Sequence, residues 1–332
     1  RWPVVLHEHA NHTTTPWFQQ MADRALAPFT DIAIAVSKST AGFVINARKI
    51  PAERVKVVYL GAPLEEFSRQ RDAAEVAAAR AALGVPGDDP VVGTVTRLMP
   101  SKGNQFFVEA IGHLAARMPT TRFVVVGEGE LQTELEAPAG TLELPPAAGG
   151  SGPPAAEHLV AVRQAGLLPG DRQQQALGLD AGARAAQLGI GDRLVFAGFQ
   201  RDVAAAYAAF DLAVFPSLWE GTPLTAFEAL AMGKPIVSTD ADGLSDILSP
   251  GVDALVVPKR DGRALADAIE AVMADPARRA RLGEAARATG QRYGIDRFVR
   301  RMEQLYDLLH ATSRKTKRRG VLEADLRFLT EA

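Results

Sequence analysis

The chain has 332 residues, with 37 basic against 39 acidic side chains, 47% hydrophobic residues and no cysteine. That length buries two modest α/β cores, and the near balance of charge argues against bulk nucleic-acid binding. Disulfides are excluded, in keeping with a reducing cytoplasm, and no apolar run approaches the roughly 20 residues needed to cross a bilayer.

At the amino end, PVVLHEHANHT (residues 3–13) predicts a strand over residues 4–6 followed by His7, His9 and His12. His7 and His9 share a face of a strand and His12 follows in a loop. No cysteine or well-placed carboxylate completes a tetrahedral set, so no metal site is expected. A helix over 17–27, a strand DIAIAV over 31–36, a helix from Ser39 and a strand VKVVYLGA ending at Ala62 come next. VVGTVTRLMPSKGNQFFVEAI (91–111) then reads as a strand, a basic loop holding Arg97 and Lys102, and a helix from about Asn104. Two cations clustered at a strand end repel unless an anion joins them.

RFVVVGEGE (122–130) is a strand ending in a glycine turn. Gly127-Glu128-Gly129 mimics the start of a dinucleotide fingerprint, but Gln132 holds the third glycine position, so nicotinamide or flavin binding is not expected. Residues 138–183, opening PAGTLELPPAAGGSGPPA, have a composition that buries no core. They are expected to form a mobile insertion with short helices over 157–165 and 172–177. RLVFAGFQRDV (193–203) is another strand and turn.

The most informative stretch is FPSLWEGTPLTAFEALAMGKPIVSTDADG (215–243), read as strand end, loop, helix and strand. Thr222 is the expected N-cap, Pro223 the first helical residue and Gly233 the stop, with Pro235 beyond. The helix start offers free N–H groups near Gly221 and Thr222 as a seat for a diphosphate. Glu228 then lies about 7–8 Å along the axis from Pro223, one ribose away, where a carboxylate can accept two hydroxyl hydrogen bonds. Glu220 precedes the helix and could meet the hydroxyls at the other end of the diphosphate. Asp240-Ala241-Asp242 is read as a surface turn rather than a metal-binding D-x-D. Helices over 261–273, 276–289 and 298–310 follow, then SRKTKRRG (313–320), with five cations in eight positions. That stretch is a solvated basic tail, or it is drawn to an anionic membrane surface.

These blocks resemble family 4 glycosyltransferases. Glu220, Gly221, Pro223 and Glu228 match the family's E-x7-E segment as they stand, and Arg97 and Lys102 match the cations that grip its donor diphosphate. The resemblance implies an α/β fold of GT-B type, two Rossmann-like doubly wound domains facing a cleft, with the amino-terminal one incomplete. Residues 1–67 are expected to be that partial acceptor-side domain, because the family's first half with its glycine-rich loop has no counterpart. Residues 68–293 are expected to be the nucleotide-sugar domain with the insertion at 138–183. Residues 294–312 then form the closing helix crossing back, and 313–332 the basic tail.

In activity, the resemblance implies retaining transfer of a hexosyl-type sugar from a UDP- or GDP-linked donor to a glycan, lipid-linked or small-molecule acceptor. No metal or other cofactor is expected. The implied catalytic residues are His9, Arg97, Lys102 and Glu220, and the implied donor contacts are Phe199, Gly221, Thr222, Pro223, Leu224 and Glu228, with Asp202 a further candidate beside the base. The expected location is cytoplasmic, with peripheral contact to the inner membrane face through the tail. Two alternatives stand beside this reading: a nucleotide-sugar-binding protein without transfer, and a nucleotide-sugar epimerase.

Overall fold

The computed structural model describes residues 3–9, 16–85, 87–129, 193–313 and 326–329. The insertion over 138–183, with its two expected short helices, and the basic run after Ser313 lie outside the described residues. Two all-parallel sheets organise the rest. The first joins β1 (Val5–Glu8), β2 (Ile32–Ala35) and β3 (Val55–Val57) in the order β1-β2-β3. β2 reads IAIA and is buried along its whole length, the continuous apolar run that a strand covered on both faces requires. Helix α1 (Trp17–Leu26) follows β1. Helix α2 (Lys38–Asn46) follows β2 and is capped by Ser37, whose hydroxyl accepts from the Thr40 amide.

From β3 the chain crosses to the second unit through two short helices, α3 (Leu64–Phe67) and α4 (Ala73–Ala82). The latter is opened by a reciprocal capping box between Asp72 and Glu75. The second sheet contains β4 (Val91–Val95), β5 (Arg122–Val126), β6 (Leu194–Gly198), β7 (Leu212–Phe215), β8 (Ile236–Thr239) and β9 (Leu255–Val257). They pair in the order β6-β5-β4-β7-β8-β9, all parallel. Counted from β4 this is 3-2-1-4-5-6, the doubly wound nucleotide-binding order. One face carries α5 (Asn104–Leu114) and α9 (Gly262–Met273). The other carries α4, α6 (Val203–Ala209), α7 (Leu224–Met232) and α10 (Pro276–Gly290), giving two separate cores. A one-turn helix α8 (Asp242–Ser245) replaces the expected surface turn at Asp242.

The last helix, α11 (Ile295–Ser313), extends three residues beyond each end of the 298–310 helix and sits one residue on from the 294–312 closing segment. Its Met302, Leu305 and Leu309 pack on Ile32 and Ile34 of the first sheet, together with Leu326 and Leu329 from the chain end. The two crossings touch: Ala62 donates to Tyr293 O and accepts from the Ile295 amide, each at 2.9 Å. β3 ends at Val57, short of its expected end at Ala62, which instead bridges to Gly294. Among the described residues no helix is long and apolar enough to cross a membrane.

Gly93 lies at the middle of β4, where a Cβ would strike the Phe210 ring. Phe210 is 2% exposed and packed edge-on against Tyr207, so it has nowhere to move. Gly93→Ala is therefore expected to destabilise the second unit by about 1–3 kcal/mol, measured as a lowered denaturation midpoint. An unchanged midpoint would mean that this core repacks freely.

Candidate functional site

In a doubly wound sheet the ligand crevice lies outside the carboxyl ends of the strands where the winding reverses, here between β4 and β7. The two loops leaving those ends lean on each other. Gly103, at φ +64°, passes so close to the Pro216 carbonyl that a side chain would collide with it. Ser101 O accepts from the Leu218 and Trp219 amides at 2.8 and 3.3 Å. Lys102 Nζ reaches both carboxylate oxygens of Glu220 at 2.7 Å, and Ser217 Oγ donates to Glu220 Oε1 at 2.6 Å. Glu220 is only 6% exposed, so its charge is compensated by three hydrogen bonds. From β8, Thr239 Oγ1 donates to Ser217 O, and the Gly243 amide of α8 donates to Glu220 O at 3.1 Å.

Around this joint opens a cavity of about 500 Å³. Its wall gathers Arg97, Lys102, Phe199, Thr222, Pro223 and Leu224 from the residues singled out in the sequence. Arg97 is exposed, and its guanidinium meets no hydrogen-bond or ion-pair partner among the described residues. Phe199, 65% exposed, stands beside Gln200 and Glu128, whose Oε1 accepts from the Phe199 amide at 3.3 Å. Glu128, Gln200, Thr96 and Thr225 line the cavity without having been picked out individually. Their signal was positional, since each lies just past a strand or at the start of α7.

Three expectations need correction. Thr222 does not cap the helix. Its hydroxyl donates to Val36 O at 3.0 Å, and the helix opens one residue later, with Pro223 in the cap position. The Leu224 amide is spent on Thr222 O at 3.1 Å and Pro223 has none, so the donor set shifts to Gly221, Thr222 and Thr225. Glu228 is not in the cavity wall. Its Oε2 is buried without a partner, and burial first, then the charge of Glu66, push the carboxyl up to about 7. Asp202 caps α6 through the Ala205 amide and pairs with Arg71 at 2.8 Å. His9 is exposed at the end of β1, outside the cavity, its ring 6.2 Å from His7, which is itself bonded to Tyr306 Oη at 2.9 Å. His12 lies outside the described residues, and among those described no three His, Asp or Glu side chains are placed to hold a metal.

The family model described as glycosyl transferases group 1 matches residues 180–289, which carry β6 to α10 of the second unit. The chain is 28% identical to a D-inositol 3-phosphate glycosyltransferase of Xylanimonas cellulosilytica, over 96% of this chain and 69% of that one. It is 24% identical to an alpha-D-kanosaminyltransferase of Streptomyces kanamyceticus, over 85% of this chain and 60% of that one. The chain thus spans about two thirds of these curated relatives. HepE of Anabaena, solved in complex with UDP, superposes with a TM-score of 0.69 at 22% identity, covering 92% of this chain and 72% of that one. The fold is α/β of GT-B type with Rossmann-like parallel sheets.

The state of Glu228 has a consequence for stability. A carboxyl raised on folding from 4.5 to about 7 keeps a proton that the unfolded chain releases. Its stabilising effect is full below about pH 4.5 and is lost as pH rises through 7, up to roughly 3 kcal/mol. Denaturation of the wild type and Glu228→Gln between pH 4.5 and 8 should show this decline in the wild type alone. Parallel curves would place Glu228 in water.

Proposed function

We propose that this chain is a glycosyltransferase moving a hexosyl-type sugar from a UDP- or GDP-linked donor to a glycan, lipid-linked or small-molecule acceptor, with retention of configuration. The observation that carries the reading is the meeting of Arg97 and Lys102 with the start of α7 at the reversal of winding. A cavity of about 500 Å³ there suits a nucleoside diphosphate, since small-ligand sites run about 300–1,000 Å³. Phe199 at the wall supplies a flat surface for the base.

In this reading Arg97 forks onto the diphosphate while Glu220 holds the Lys102 ammonium in place. Both cations, with the Gly221, Thr222 and Thr225 amides, stabilise the negative charge that grows on the departing diphosphate. No metal is required for that. The acceptor oxygen bonds to the anomeric carbon as the bond to the phosphate oxygen breaks, on the same face, and the leaving phosphate takes the acceptor's proton. His9, at the carboxyl end of β1, is the group the first unit offers to the transferred sugar. The reaction belongs to the cytoplasmic side, with peripheral membrane contact where the acceptor is lipid-linked.

Thermal unfolding against UDP, GDP, ADP and NAD tests the donor assignment. One nucleoside diphosphate should raise the midpoint by several degrees, and Arg97→Ala should weaken it by about 1.5–3 kcal/mol, roughly 10- to 150-fold. Release of that nucleotide from its sugar should then depend on an added acceptor. Indifference to all four ligands would refute the donor site, and acceptor-independent isomerisation would refute transfer.

A further inference from the structure

The large cavity sorts its hydrogen-bonding groups by end. Arg97, Lys102 and the start of α7 put donors at one end of the wall. Around Phe199 the side chains offer acceptors instead. Glu128 stands just past β5, and among the described residues it is the only carboxylate lining the cavity. It is exposed, and its Oε1 accepts from the Phe199 amide at 3.3 Å. Arg97, past the neighbouring strand β4, shares the cavity with Glu128 without forming an ion pair to it. Gln200 spends its Nε2 on Ala197 O at 2.7 Å, which leaves its side-chain oxygen as a second acceptor. The charged neighbours in this loop do not alter that balance. Asp202 is taken by Arg71 and the Ala205 amide, and Arg201 is exposed outside the wall.

We propose that the base of the donor is guanine and that Glu128 is the residue that selects it, which rests on the donor reading given under the proposed function. The pairing edge of guanine presents two adjacent donors, the ring N1–H and the N2 amino group. A carboxylate accepts both in parallel, as it does from an arginine fork. Each carboxylate oxygen has two lone pairs, so the Phe199 amide can stay bonded and hold the group in orientation. Uracil presents one ring N–H between two carbonyl oxygens, so a carboxylate oxygen would face an acceptor with no proton between them. Adenine presents an amino group beside a bare ring nitrogen and meets the same conflict. A site that hydrogen-bonds one partner rejects an analogue that leaves its polar groups unpaired. Phe199 stacks on any of these rings and Arg97 meets the diphosphate common to all of them, so neither discriminates.

The test is calorimetric binding of GDP, UDP and inosine diphosphate to the full chain, in the wild type, Glu128→Gln and Arg97→Ala. GDP should bind the wild type about tenfold or more tightly than UDP, with inosine diphosphate, which lacks the amino group, in between. Glu128→Gln, at an exposed position, should weaken GDP about tenfold and leave UDP within about twofold, so that the preference collapses. Should that variant fail to fold, the wild-type order of GDP, inosine diphosphate and UDP carries the test by itself. Arg97→Ala should weaken GDP and UDP alike, which reports on the donor site independently of the base. UDP bound as tightly as GDP, or a loss in Glu128→Gln equal for both, overturns the guanine assignment and leaves the donor site standing. Binding of none of the three overturns both.

Discussion

The contact on which the candidate site depends is the ion pair between Lys102 and Glu220. It joins the loop after β4 to the loop after β7, and those two strands are adjacent only because the sheet reverses its winding between them. Removing one partner of a buried pair typically costs about 3–5 kcal/mol, because the other charge is stranded. Here the stranded group would be a carboxylate that is 6% exposed. The surrounding contacts follow from the same joint. Gly103 must be glycine for the loops to approach, Ser217 is oriented by Thr239 from β8, and the Gly243 amide closes the back of Glu220. Three strand ends are thereby locked into one rigid rim.

The pair also divides labour between the two cations. A lysine already neutralised by a bidentate carboxylate draws an incoming diphosphate weakly, since the pair carries no net charge and acts through its orientation. Arg97 keeps a whole charge, at the mouth of a low-dielectric wall that strengthens it. In the proposed function, attraction of the donor is then chiefly the work of Arg97, and alignment that of Lys102. Sequence reading assigned them the same task because both follow β4 and both are cationic. What separates them is Glu220, which stands 118 positions away along the chain.

The strands and helices of the second unit were legible because apolar runs, glycine stops and proline boundaries are local signals. Gly233 ends α7 at φ +68°, as its position after the apolar run indicated. The strand order was not legible from any run, since it is set by how the helices share the two faces. The helix at 224 shows where local reasoning fails. The axial distance from Pro223 to Glu228 follows from rise per residue, but five residues also turn about 500°, or some 140° round the axis. Glu228 consequently faces Glu66 rather than the cavity. The Thr222 hydroxyl went to Val36 because a carbonyl from the other sheet competed with the helix amides, a partner 186 residues distant.

That long-range bond ties the loop before α7 to the end of β2. Thr222, one residue from Gly221 and lining the cavity, is tied to the carbonyl that ends β2. The neighbouring Lys38 amide donates to Asp246 at 2.6 Å, and Ser39 reaches Asp242 at 3.5 Å, both from the segment behind the same loop. A shift of the first unit away from the second must break these bonds or drag the start of α7 with it. The outgoing crossing also bears on α7: after burial, the charge of Glu66 on α3 opposes ionisation of Glu228. The groups facing the cavity and those joining the two sheets are therefore linked through the same hydrogen bonds.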